Sequence, residues 1–287
     1  SLMGFFIDAF EPAFMQRALI GSLLAIVASS LVGTWVVLRG LAFLGDALAH
    51  GVIPGIALAV LMGYNPFLGA FVAAIVMTGL VTFVSNRTVM TDDTSIGLLF
   101  VGMLSLGVVI VSKADSFSTD VTTILFGDAL GVSKSDIRNQ LIATAFVIIC
   151  TVLLYRPFLA LTFNETKAAT LGMRPKLTQA ALLGLLSLSI VSSFQTIGTL
   201  LVFGLIVAPP ATASLLVKRV VPIMLVSMLL GALAVIVGLL LSFHYGTAGG
   251  ATIAGLCVLE FFLVLAARLV RGLVGASNQR TDNDALV

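Results

Sequence analysis

The chain has 287 residues, of which 59% are hydrophobic and only 10% charged. Soluble proteins carry about 25% charged residues, so most of this surface cannot face water and lipid is the solvent that fits. The formal net charge of +2, with basic residues standing singly or in pairs, gives no nucleic-acid-binding surface and no polybasic anchor. Asp8, Glu11 and Arg17 interrupt the pattern that a cleavable signal peptide needs, so insertion is expected to rest on the spans themselves. Cys150 and Cys257 both lie in apolar runs and read as small buried hydrophobes.

A helix needs about 20 apolar residues to cross about 30 Å of hydrocarbon. Cutting the chain at charges, prolines and glycine clusters leaves candidate spans near 18–38, 41–62, 66–86, 94–112, 137–155, 177–194, 197–217, 221–242 and 250–267. The runs are continuously apolar rather than alternating, and only a helix satisfies its backbone within one such run. The fold class is therefore all-α, a polytopic membrane helical bundle of eight to nine transmembrane helices forming a single domain over 1–287. The stretch 117–133 is polar-interrupted and reads as an interfacial or re-entrant piece, and 277–287 reads as a flexible C-terminal tail.

Lysine and arginine fall unevenly about these spans. Arg39, Arg87, Arg156, Lys167, Arg174, Lys176, Lys218, Arg219, Arg268, Arg271 and Arg280 share one side, against Arg17, Lys113, Lys134 and Arg138 on the other. The richer side is assigned to the cytoplasm, which puts the C-terminus inside and the N-terminus outside.

Ionisable groups within spans are costly, at least about 2.5–3.5 kcal/mol by insertion scales, and so mark functional candidates. Asp46 and His50 in the second span are four residues apart, which places both on one helix face. Counted from Arg39 at 1.5 Å per residue, they lie about 10 Å and about 16 Å into the bilayer. A carboxylate and an imidazole suit a divalent first-row ion such as Mn(II), Zn(II) or Fe(II). Two ligands are too few for one ion, so a second copy, water or another span would complete the set. The same pair could instead bond to each other or to a neighbouring helix and fix packing. Pro54, one turn on, removes a backbone hydrogen bond and loosens the helix there. Glu260 in the last span is a lone acid and a possible addition to a polar pathway. His244, Asp115, Asp120 and Asp128 read as solvated groups on the outer side. No phosphate-binding loop, metalloprotease motif or nucleophile elbow is present, so the chain shows no enzyme signature and no permanently bound cofactor is expected.

Three blocks carry a family pattern. Val36–Ala59 (VVLRGLAFLGDALAHGVIPGIALA) closely resembles the second-helix signature of the manganese/zinc-type (ABC-3 family) metal permeases, the transmembrane subunits of ABC importers. Ile124–Val132 (ILFGDALGV) and Ile197–Leu216 (IGTLLVFGLIVAPPATASLL) resemble two further blocks of that family, in order and at family spacing. The resemblance covers residues near 14 to 255. It implies a homodimeric permease in a bacterial cell membrane, docked to two cytoplasmic ATP-binding cassette subunits and fed by an extracytoplasmic metal-binding protein. In that picture Asp46 and His50 inherit the metal-contacting role, and two copies supply four ligands to a transported manganese, zinc or iron ion. The connector 156–176 resembles the family's cytoplasmic coupling loop, which assigns Glu165, Lys167, Ala168, Leu171, Gly172 and Arg174 to contact with the ATPase. The stretch HYGTAGGAT (244–252) departs from the acid and Pro-Ser-Gly usual in the family. A proton-coupled secondary transporter using Glu260 or Asp46 as a relay is the competing expectation; an intramembrane hydrolase is a distant one, because no nucleophile accompanies the pair.

Overall fold

The computed structural model describes residues 2–87, 92–113 and 128–284, and all regular structure in them is helical. In chain order the helices are α1 (Leu2–Phe10), α2 (Ala13–Leu38), α3 (Ala42–Gly51), α4 (Ile53–Leu61), α5 (Pro66–Arg87), α6 (Asp92–Ser112) and α7 (Lys134–Leu153). There follow α8 (Tyr155–Phe163), α9 (Glu165–Thr170), α10 (Pro175–Ile197), α11 (Thr199–Leu216), α12 (Val220–Tyr245) and α13 (Gly249–Asp284).

Eight helical stretches among the described residues are long and apolar enough to cross a membrane, and Val202–Leu216 is a shorter apolar one. Helices thus occupy every expected span. Most of 117–133 lies outside the described residues; its last part forms a single 3-10 turn at Ala129–Gly131. Helix α13 continues to Asp284, through most of the stretch read as a loose tail, because no glycine or proline stands between Ala276 and Asp284 to end it.

Local chemistry explains the boundaries. Helix α2 ends in a Schellman arrangement: Gly40 takes φ +68°, its N–H bonds the Val37 carbonyl at 3.2 Å, and Leu41 N–H bonds that of Val36 at 2.9 Å. Helix α7 starts in a capping box, with Ser133 Oγ accepting from Asp136 N at 3.2 Å and Asp136 Oδ2 accepting from Ser133 N at 2.9 Å.

Helix α2 is the hub, packed by α7, α10, α11 and α12 around it. Its interior carries small residues, among them Gly21, Ser22, Ala25, Ala28, Ser29, Ser30 and Gly33, which let neighbouring backbones approach closely where lipid offers no hydrophobic drive. At Gly33 the approach is closest: an added Cβ would collide with the Ile206 carbonyl of α11 and lie 3.0 Å from Pro210 Cγ. Pro210 lacks the N–H that would have bound the carbonyl four residues back, so the carbonyl freed within α11 is the one set against Gly33. Helices α5, α6, α7 and α13 are peripheral and turn many large apolar side chains outward.

The two ends of the bundle agree with the threading read from charge. Arg17 Nε donates to the Val132 carbonyl at 3.0 Å, joining two segments assigned to the basic-poor side. His244 belongs to that side as well, but it is not simply solvated. Its ring stacks on Phe5 at 3.8 Å, and its Nε2 lies 3.1 Å from the Phe5 carbonyl, so α1 folds back onto the end of α12. At the opposite, basic-rich end, Trp35 packs against Tyr155 and Phe158 with ring centroids 5.7 and 5.6 Å apart, fastening α8 to α2.

Candidate functional site

Asp46 and His50 stand on α3, the first half of a span that breaks at Val52. Pro54 causes the break: it cannot donate to the His50 carbonyl four residues earlier, and the Val52 N–H turns to that carbonyl instead. A discontinuous span with polar groups beside the break is a recurrent way of building a site within the membrane.

Most of α3 is sealed. Leu44, Gly45, Ala47, Leu48, Ala49 and Gly51 are buried, with Gly45 against the Phe203 ring of α11. Phe43, Asp46, His50 and Ile53, at steps of three, four and three residues, form one partly exposed helical face that α6 borders. Along it the Asp46 side chain is 34% exposed and that of His50 18%. The pair is therefore neither sealed as internal glue nor turned fully outward.

Its internal geometry favours ligation. His50 Nδ1 lies 2.9 Å from the Asp46 main-chain carbonyl, an oxygen that can only accept, so Nδ1 carries the proton. In the neutral ring this tautomer offers the Nε2 lone pair to a ligand, the arrangement in which a ligating histidine has its second nitrogen held by a carbonyl. The Asp46 carboxylate stands 3.5 Å from Nδ1, near enough to reinforce that tautomer. Phe100 of α6 meets the imidazole edge-on at 5.0 Å and limits its rotation. Phe100 is a positioning group that sequence reading missed, since nothing local to α6 distinguishes it from the other apolar residues of the span.

Among the described residues no group of three or more His, Cys, Asp and Glu side chains comes together as a metal site. Glu260 therefore does not join the pair: it sits on α13, which packs mainly on α11 and α12, with Oε2 buried and without a hydrogen-bond partner among the described residues. Nor does the pair lie in the cavity of ≈ 670 Å³ between α5, α7 and α10, whose walls are apolar, including Phe71, Ile75, Ile142 and Phe146. That cleft opens past exposed apolar side chains, as expected of a lipid-facing crevice.

The connector 156–176 is organised as α8 and α9. Asn164 caps α9, its Oδ1 accepting from Lys167 N at 2.9 Å, and Gly172 at φ +73° and Arg174 at φ 32° turn the chain sharply into α10. Glu165, Lys167 and Gly172 are exposed and Leu171 is 69% exposed, whereas Ala168 is buried. Ala168 is the buried residue of α9.

The sequence model of the ABC 3 transport family matches residues 11–268. The chain is 36% identical over 260 residues to the "Manganese import system permease protein ScaB" of Streptococcus parasanguinis, covering 90% of this chain and 92% of that protein. It is 32% identical over 265 residues to a Haemophilus influenzae protein described as "Probable iron transport system membrane protein", covering 92% and 97%. Among solved structures, a chain of PsaBC from Streptococcus pneumoniae in complex with Fab superposes with a TM-score of 0.83 at 29% identity, covering 92% of this chain and 95% of that one.

Proposed function

This chain belongs to the ABC 3 transport family, and from that premise we propose that it is the membrane permease of an ABC importer for divalent transition-metal ions, with Asp46 and His50 as the groups that hold the ion in transit. The relatives described above handle manganese or iron, a range that one carboxylate and one imidazole per chain would accept without sharp preference. The observation that carries the reading is the partly exposed stripe of α3. It presents a carboxylate and an imidazole, whose Nδ1 faces the Asp46 carbonyl, beside a helix break and among mostly buried residues of α3.

Two ligands from one chain leave coordination incomplete. A second copy meeting the first along this stripe supplies two more, for two carboxylates and two imidazoles. A site assembled between moving halves can be taken apart, and release requires that affinity differ between the two states of the cycle. Energy for that difference comes from two ATP-binding cassette subunits seated against the exposed side of α9, since the chain itself carries no nucleotide-binding motif. An extracytoplasmic binding protein delivers the ion on the opposite face.

The test is uptake of radioactive manganese by the complete importer bearing Asp46→Ala or His50→Ala. Both variants are expected to fall to the level of membranes lacking the permease while the amount of assembled complex stays unchanged. Wild-type accumulation in either one would remove the pair from the pathway.

A further inference from the structure

Helix α1 has nine residues and covers about 14 Å, too short to cross a membrane. Its side chains divide among three faces. Phe5 and Ala9, four apart, turn to the bundle: the Phe5 ring stacks on His244 at 3.8 Å, and Ala9 is fully buried. Asp8 and Glu11, three apart, are both exposed, and the Glu11 N–H bonds the Ile7 carbonyl at 3.0 Å, which carries the helical turn on to Glu11. Phe6 and Ile7, three and four residues on from Met3, form the third face with it; all three are exposed, Met3 by 70% and Ile7 by 59%. At about 3.6 residues per turn the three faces stand about 120° apart. One meets protein, one is acidic, and one is apolar and left open.

Height in the bilayer decides what covers the apolar face. Helix α12, on which Phe5 rests, has 26 residues and starts just after Lys218 and Arg219. It is about 39 Å long, and a tilt of about 20° shortens its rise by only about 2 Å, against about 30 Å of hydrocarbon. With its basic start at one edge of the hydrocarbon, its last turn, through His244 and Tyr245, stands beyond the other edge in the headgroup layer. Tyr245, 73% exposed, is a residue type that collects at that level. Phe5 touches this turn, so α1 lies at the same height. A helix in water alone gains nothing from an open face of Met3, Phe6 and Ile7, and one sunk in hydrocarbon would have to bury Asp8 and Glu11. We propose that α1 is an interfacial anchor whose partner is the lipid surface on the basic-poor side. Met3, Phe6 and Ile7 enter the boundary of headgroups and acyl chains, Asp8 and Glu11 stay in water, and Phe5 and Ala9 hold the bundle. Helix α1 leads into α2 through Glu11 and Pro12 and touches α12, so it fixes the outer ends of both at headgroup level. This anchoring is independent of Asp46 and His50 and of the ion carried.

The experiment reconstitutes the full chain in phosphatidylcholine vesicles, part of whose lipid is brominated on the acyl chain near the headgroup. It reads tryptophan emission from Met3→Trp, Phe6→Trp and Asp8→Trp. Trp35, the single tryptophan of the chain, is buried, so wild-type emission is a constant background to subtract. An interfacial face lies about 5–10 Å into the boundary of headgroups and acyl chains. Met3→Trp and Phe6→Trp are therefore expected to emit at shorter wavelength than Asp8→Trp, to lose most of their added emission to the brominated lipid, and to be little affected by acrylamide in the water. Asp8→Trp is expected to show the reverse order of quenching. Ile7→Trp takes the place of either apolar-face variant should it fail to assemble. Quenching by acrylamide as strong at Phe6→Trp as at Asp8→Trp would mean that water covers the face, and quenching by neither agent would mean that protein does. Each of these results overturns the anchor.

Discussion

Gly33→Ala adds one methyl group where α2 and α11 touch. The methyl would meet the backbone carbonyl of Ile206 and the ring of Pro210, and neither can step aside like the end of a flexible side chain. Overpacking of a tight interior costs about 1–3 kcal/mol, and a backbone obstacle places this site in the upper half, about 2–3 kcal/mol. Alanine returns about 1 kcal/mol of helix propensity relative to glycine, leaving a net destabilisation of about 1–2 kcal/mol. Gly79→Ala on α5 is the matched control. Nothing lies within 4 Å of its added Cβ, so only the propensity gain of at most about 1 kcal/mol remains. Unfolding of the purified permease in mixed micelles should therefore separate the two variants by about 2–3 kcal/mol. A Gly33→Ala protein as stable as Gly79→Ala would refute the reasoning, since it would mean that α2 and α11 part without cost.

Trp35→Ala removes a fully buried indole that fastens α8 to α2. The loss should be about 3 kcal/mol, the low end for a large aromatic because lipid rather than water surrounds the bundle. It is measured as the folded fraction after extraction, and limited proteolysis in the 156–176 connector should rise with it. Gln140→Leu breaks a buried chain in which Gln140 Nε2 donates to Thr144 Oγ1 at 3.1 Å and Ser193 Oγ donates to Gln140 Oε1 at 3.4 Å. The bond from Ser193 crosses from α10 to α7, and an interhelical bond is worth about 0.6–1.7 kcal/mol, so stability should drop by about that much while manganese uptake persists. Loss of uptake in a protein of normal stability would show instead that this network lines a path for ions or water.

Composition and local spacing determined the class of molecule, the position of its spans and the placement of Asp46 and His50 on one helix face. A run of about 20 apolar residues can do little but cross a membrane as a helix, and residues four apart on a helix share a face wherever that helix lies. The break beside His50 was legible for the same reason, because Pro54 removes its hydrogen bond whatever its neighbours are. What needed the tertiary structure was everything that depends on which face is covered by a distant part of the chain. Only packing showed that Asp46 and His50 keep a partly exposed stripe of α3, that Phe100 meets the imidazole, and that Ala168 is buried while Leu171 is exposed. Only packing set Gly33 against a carbonyl that Pro210 had freed. Apolar helices in lipid have no hydropathy gradient to tell one face from another. Shape and the few polar contacts between helices choose the neighbours, and both are properties of the assembled bundle rather than of any single segment.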